Sequence, residues 1–209
     1  VKKIADSTVR RLSLYLRFLE EFEARGLATI SSEELAARGG TTSAKVRKDL
    51  SFFGSFGKRG LGYSVPELAA QIRQILGLER EWRVVIIGAG KIGTALAQYA
   101  GFRQRGFRIV AVYDNDPAKI GRTVDGCPVR PMDTLAADNR DDPADIAVLT
   151  VPAHAAQFAA DLAVESGIRG IMNFAPQQLH LPEKIALKNV SMAMELEGLS
   201  FALTNRRKG

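Results

Sequence analysis

The chain has 209 residues, 46% of them hydrophobic, enough for one large domain or two modest ones with a real core. No apolar run approaches the roughly 18 residues of a membrane helix, the opening VKKIADSTVRR lacks the h-region of a secretory signal, and the single cysteine, Cys127, excludes an internal disulfide or a multi-cysteine metal site. Of the formal net charge of +6, nearly all lies in the first 80 residues, where 14 Lys and Arg face 9 Asp and Glu, so a polyanionic partner is expected for that portion.

The chain begins at Val1 rather than methionine, which leaves room for residues before it. The first helix is expected to be capped by Asp6 or Ser7, with Val9, Leu12, Leu16, Leu19 and Phe22 at helical spacing and a stop at Arg25-Gly26. Ser31-x-x-Glu34 is a capping box that opens a short second helix, closed by Gly39-Gly40. A third starts near Thr42 or Ser43 and runs to about Phe53. Gly54, Gly57, Gly60 and Gly62, interleaved with Phe56, Lys58, Arg59, Leu61 and Tyr63, read as a hairpin. Pro66 begins a fourth helix with Leu68, Ile72, Ile75 and Leu76 on one face, and a domain boundary follows at about 77–81.

From Trp82 the pattern alternates strand and helix: a strand at 84–87, a helix at 91–99, a strand at 108–113, a strand at 145–151, a helix at 153–166 and a strand at 168–174. This predicts an α/β fold with a doubly wound parallel sheet. Residues 116–142 are expected to be irregular and acidic, with a short strand at 127–130. The last helix, about 192–203, carries the stripe Met192, Leu196, Leu199 and Leu203, with Met194, Phe201 and Ala202 off it. An apolar surface on more than one side needs more than one covering surface, from its own domain or from a partner subunit. The domains are therefore placed at 1–78, 79–191 and a terminal helix and tail at 192–209.

On the third helix Val46, Leu50 and Phe53 face the core, which turns Ala44, Lys48 and Ser51 outward with Lys45 and Arg47 at the edges. A recognition helix needs polar groups on its centre line and cations beside them. Lys48 suits guanine O6 and N7, Ala44 a thymine methyl, Lys45 and Arg47 the phosphates, and the free N–H groups near Ser43 a further phosphate. Lys58 and Arg59, between Gly57 and Gly60, suit a narrow minor groove, and Gly60 and Tyr63 are grouped with them. Residues 41–63 hold five cations against Asp49 alone. The competing reading is a solvated basic face on a helical bundle.

Gly88, Ala89, Gly90, Lys91, Ile92 and Gly93 form a GxGxxG turn between a buried strand and a helix. Asp114 closes the next strand about twenty residues on, the spacing that sets a carboxylate against adenosine ribose hydroxyls. Its charge repels a 2′-phosphate, and Asn115-Asp116 brings no arginine, so NAD⁺ and NADH are expected over their phosphorylated counterparts. Thr150, Val151 and Pro152, and Asn173, Phe174 and Ala175, emerge at strand C-termini where open sheets bind ligands. His154 is the one candidate proton carrier for a dehydrogenase, the alternative reading, but no acid or substrate-clamping arginine accompanies it; His180 reads as surface. No catalytic residue is assigned. A nucleotide-binding module that meets proteins through its basic domain is a third reading. With one cysteine, a cytoplasmic location is expected, and redox sensitivity must come from something bound.

The segments RRLSLYLRFLEE, VRKDLSFFGSFGKRGLGY, GAGKIG, YDNDP, LTVP, NFAP and LSFA together resemble the Rex family of redox-sensing transcriptional repressors along almost the whole chain. The resemblance implies a homodimer with an N-terminal winged helix, a C-terminal Rossmann domain and a C-terminal helix swapped between subunits. It also implies binding to palindromic operators in double-stranded DNA and release when NADH rises relative to NAD⁺. Relatives commonly carry an Asp before the swapped helix that makes polar contacts near the cofactor, including with positions matching Arg17 and Tyr99, which places Tyr99 among the cofactor residues. Here Ser191-Met192 stands instead, and a serine cannot form that charged pair.

Overall fold

The computed structural model describes residues 4–54, 56, 57 and 62–206. It divides the chain into two compact units, Val1–Arg80 and Glu81–Gly209.

The first unit is built on α1 (Asp6–Ala24), which buries Leu12, Tyr15, Leu16 and Leu19 at 0–1% exposure because they recur on one helical face. Its N-cap is Ala5, with no side-chain cap; Asp6 lies in the first turn, where its charge favours the helix dipole. Strand β1 (Thr29–Ile30) leads into α2 (Ser32–Gly39), where the capping box forms as expected: Glu34 N donates to Ser31 Oγ at 3.1 Å and Ser31 N to Glu34 Oε2 at 2.8 Å. Helix α3 (Ser43–Ser51) is capped by Thr42, whose Oγ1 accepts from Lys45 N. It ends before Phe53, which sits half-buried on the core. Strand β2 (Tyr63–Ser64) pairs antiparallel with β1, and α4 (Val65–Ile75) follows and packs on α1. β2, at the end of the expected hairpin, thus pairs with a strand that precedes α2. Lys58, Arg59, Gly60 and Leu61 lie outside the described residues.

The second unit is a seven-stranded sheet comprising β3 (Trp82–Ile87), β4 (Phe107–Asp114), β5 (Thr123–Val124), β6 (Cys127–Pro131), β7 (Ile146–Leu149), β8 (Gly170–Asn173) and β9 (Ala186–Asn189). Their order is β5-β6-β4-β3-β7-β8-β9, all parallel except the β5–β6 pair. Alternate residues of β3 face opposite layers. Val85 and Ile87 pack beneath α7 (Leu135–Asp141) and α8 (Ala153–Glu165), whereas Val84 and Ile86 join Ala97 of α5 (Lys91–Ala97). The chain leaves β3 for β4 on one side and later crosses to β7 on the other, so a switch point opens at the C-terminal end of β3.

Two expectations are corrected here, and two further features go beyond them. The helix at 91–99 stops at Ala97, and Tyr99, with ψ of 101°, caps a separate α6 (Ala100–Gln104). Residues 116–142 are ordered into β5, β6, a 3₁₀ turn and α7. A further parallel strand, β9, extends the sheet beyond β8. Finally, α9 (Met192–Arg206) does not pack on its own unit: Met192, Met194, Leu196, Leu199, Phe201 and Leu203 are 59–73% exposed. Among the described residues no helix is long and apolar enough to cross a membrane.

Candidate functional site

At the switch point a cavity of about 710 Å³ is lined by Gly88 and Gly90 from the β3–α5 turn, Asp114 and Asn115 at the end of β4, and Thr150 to Pro152 after β7. Gly88 has φ 108°, and a Cβ there would meet the Thr150 carbonyl carbon at 2.9 Å. A Cβ on Gly93 would lie 1.9 Å from the Gly88 oxygen, so only glycine lets α5 start this close to β3. Gly90 meets nothing within 4 Å; its missing side chain leaves the rim open to a ligand. Thr150 Oγ1 donates to the Gly88 oxygen at 2.8 Å and fixes the turn.

Asp114 is held by groups of the protein itself. Its Oδ2 accepts from Ala89 N at 2.7 Å and Lys119 Nζ at 3.1 Å, and its Oδ1 from Asp116 N at 2.8 Å. Burial pushes this carboxyl up, but the two backbone donors and the Lys119 ammonium outweigh burial and hold it below the usual carboxylate value. It therefore stays ionised, a fixed acceptor at the mouth of the cavity. Asp116, Lys119 and His154 also line it, and one stretch of wall is apolar: Met132, Ala155, Ala159 and Phe158, which is 63% exposed yet lines the cavity. The open turn, the ionised acceptor and this apolar wall fit an adenine dinucleotide in shape and chemistry.

The structure brings Gly88, Gly90, Asp114, Thr150, Val151 and Pro152 together, with Ala89 bonded to Asp114 and Gly93 packed beneath. Lys91 and Ile92 open α5 with exposed side chains outside the lining. Asn173, Phe174 and Ala175 do not line the cavity. Asn173, 1% exposed, spends its amide on Ala175 O, Gln177 O and Asn189 Oδ1, and so locks the turn after β8 to β9. Tyr99 is 60% exposed, stacks edge-on against Phe102 and lines a separate 460 Å³ cavity. His154 lines the nucleotide cavity near the start of α8. Cys127 is half-buried, and burial first, then nearby Asp125, pushes its thiol pKa up, the opposite of an activated thiolate. Lys119 and Phe158 escaped the sequence reading. Phe158 is four residues past His154 on the exposed side of α8, a visible signal; Lys119 depends on a turn that sequence spacing does not reveal.

In the first unit, Val46, Asp49 and Leu50 of α3 are buried, and Ala44, Lys45, Arg47, Lys48 and Ser51 are exposed on the opposite side, with Ser43 half-buried. Arg47 Nη1 donates to Ser32 Oγ at 2.9 Å and contacts Glu33 at 3.3 Å, which bends it toward α2. Tyr63 departs from expectation: at 8% exposure it belongs to the core, because its side chain alternates inward on β2. The least foreseen feature is Asp49, 1% exposed. It accepts from Arg11 Nε at 2.5 Å and Arg11 Nη2 at 2.7 Å, and from the Tyr15 hydroxyl at 3.1 Å. Burial raises the Asp49 pKa, yet the Arg11 and Tyr15 hydrogen bonds and the Arg11 charge bring it below the ordinary value. Burial and the same carboxylate push the Tyr15 hydroxyl up to about 12.

Fold and cavity define a class: an N-terminal winged-helix DNA-binding unit ahead of an α/β Rossmann unit whose crevice suits a dinucleotide. Two family models match, the "putative DNA-binding protein N-terminus" over residues 3–51 and the "CoA binding domain" over residues 79–177. The redox-sensing transcriptional repressor Rex of Carboxydothermus hydrogenoformans is 46% identical over 95% of this chain and 96% of its own. Two crystal structures of RSP align over 99% of this chain: the complex with β-NAD⁺ and operator DNA at TM-score 0.93, 35% identity and 95% of that chain, and the complex with β-NADH at 0.88, 33% and 97%. The chain belongs to the Rex family of redox-sensing transcriptional repressors.

Proposed function

We propose that this chain is a repressor that holds palindromic operator DNA as a homodimer in the cytoplasm and lets it go when NADH occupies the switch-point cavity. The observation that carries this reading is the ionised Asp114, preset at the rim of a glycine turn, on the same chain as a capped helix whose outer face is cationic. Gly88 to Gly93 receive the pyrophosphate through backbone N–H groups at the start of α5, Asp114 receives the adenosine ribose, and Thr150 to Pro152 flank the rest of the nucleotide. Ser43, Ala44, Lys45, Lys48 and Ser51 meet the major groove and its phosphates, Arg47 reaches a phosphate from the edge, and Lys58, Arg59 and Gly60 serve as the wing.

Cover for α9 comes from a second copy, because its apolar residues stand exposed on several sides. Tyr99, Asn173, Phe174 and Ala175 are away from the adenosine end; a role for them belongs to the nicotinamide end once the second copy is in place. Reduced and oxidised nicotinamide differ by one positive charge, and a ligand shifts a conformational balance only by its differential affinity for the two states. A tenfold preference supplies about 1.4 kcal/mol. The protein's part is to close around the neutral ring and rotate the paired α3 helices out of half-site spacing, about 34–36 Å. The test is operator affinity with NADH, with NAD⁺ and with neither, at fixed salt. NADH should weaken binding at least tenfold relative to NAD⁺; equal affinity in all three conditions overturns the reading.

A further inference from the structure

Beside the adenosine end of the cavity, one cation stands between two acids. Lys119 Nζ lies 3.1 Å from Asp114 Oδ2 and 3.6 Å from Asp116 Oδ2, with the Lys119 side chain 34% exposed. Among the described residues lining the cavity, Lys119 is the one lysine or arginine. Asp116 has two separable tasks. Its Oδ1 accepts from Ala118 N at 2.9 Å, and its carbonyl from Lys119 N at 2.9 Å and Ile120 N at 3.2 Å, which winds the chain into the turn that carries Lys119 back toward Asp114. Its Oδ2 then faces the ammonium that the turn has delivered.

A lysine at the rim of a ribose site would ordinarily favour a 2′-phosphate, which carries close to two negative charges. Here two carboxylates share that ammonium, so the three side chains together are net negative where the phosphate would sit. We infer that Asp116 joins Asp114 in fixing nucleotide choice in this cavity, by holding Lys119 in a doubly acidic clamp that denies it to a 2′-phosphate. Asp114 meets the ribose directly, and Asp116 acts through Lys119 as a positioning residue. The inference rests on the dinucleotide reading of the cavity proposed above and adds to it the source of its discrimination.

Asp116→Asn isolates the charge. The amide keeps an oxygen that accepts from Ala118 N, so the turn survives, while the second oxygen becomes an NH₂ group that repels the ammonium. Lys119 then has one acidic neighbour and a free side to offer a phosphate. The experiment measures Kd for NADH and NADPH by nicotinamide fluorescence and calorimetry on the full-length protein. The two share their reduced ring, so the ratio of Kd values reports the ribose end alone. The wild type should prefer NADH. In Asp116→Asn the NADPH-to-NADH ratio of Kd should fall about tenfold, the scale expected for one unit of charge removed a few ångströms from a solvated phosphate. Adding Lys119→Met to that variant should restore the wild-type ratio or exceed it, because the gain runs through the ammonium. Should Asp116→Asn fail to fold, Asp116→Ser keeps an oxygen cap without the charge and should show the same fall. A ratio unchanged in folded Asp116→Asn or Asp116→Ser, or a fall that persists after Lys119→Met, overturns the inference while leaving the cavity a dinucleotide site. Absence of binding of either nucleotide to the wild type removes the site itself, and the inference with it.

Discussion

Replacing Asp49 by Ala should loosen the helix that carries the cationic face. Asp49 is 1% exposed and takes four hydrogen bonds, two from Arg11, one from Tyr15 and a longer one from Thr8, so α3 is tied to α1 from its inner side. Removing the carboxylate leaves a guanidinium only 21% exposed with Thr8 Oγ1 as its remaining acceptor, and a fully buried Tyr15 hydroxyl without its partner. Breaking a buried pair from one side costs about 3–5 kcal/mol, and the partial hydration of Arg11 puts this case near ~3 kcal/mol. For a unit of this size that is a fall in Tm of about 12 °C or more. Thermal unfolding of the full chain by circular dichroism reads it, with hydrogen exchange in α1 and α3 assigning the loss to the first unit. Asp49→Asn, which keeps one acceptor oxygen, should lose about a third as much. The pH dependence has a definite sign. The folded Asp49 pKa is depressed, so its contribution is complete above the unfolded value, about 3.9, and is lost as pH falls through the lower folded value. A fall in Tm of less than about 3 °C for Asp49→Ala would show that the network holds nothing in place, and the positioning argument for α3 would go with it.

The two inner glycines of the turn should behave differently. Gly93→Ala puts a methyl against the Gly88 carbonyl and should cost both stability, about 2 kcal/mol or more, and nucleotide binding; Gly90→Ala meets open space and should leave Tm within about two degrees while weakening NADH at least tenfold, as thermal unfolding and fluorescence titration would report. Lys45→Ala and Lys48→Ala should each flatten the salt dependence of operator binding by about one phosphate contact, measured by mobility shift over a salt series; an unchanged slope would take that residue off the DNA face. Leu199→Glu on α9 should shift sedimentation toward a single copy without unfolding the sheet, and a variant that still sediments as wild type would place the covering surface elsewhere.

The helices of the first unit were readable because their apolar spacing and caps are local: the Ser31–Glu34 box and the Thr42 cap form where the residue order puts them. The dinucleotide turn was readable for the same reason, since Gly88, Gly93 and Asp114 are fixed by strand ends. What escaped depends on partners distant in the chain. Tyr63 faces inward because β2 pairs with β1, a two-residue strand too short to leave a pattern. Asn173 is consumed by a loop and by Asn189 of β9, an edge strand reading ALKN with no clear alternation. Asp49 looked like the lone acid in a basic segment. Its burial follows from Arg11, 38 residues earlier, and a tally of charges treats both as surface. Lys119 needed the turn that Asp116 caps before it could be brought to Asp114.

The six large apolar side chains along α9 tie this protein's integrity to its abundance. With a second copy as the proposed cover for α9, a lone chain leaves this apolar face open to water, and the paired fraction rises with chain concentration. Mass action then makes resistance to heat and proteolysis rise with dose. Scarcity itself becomes a way of silencing the regulator, quite apart from any signal read by its crevice.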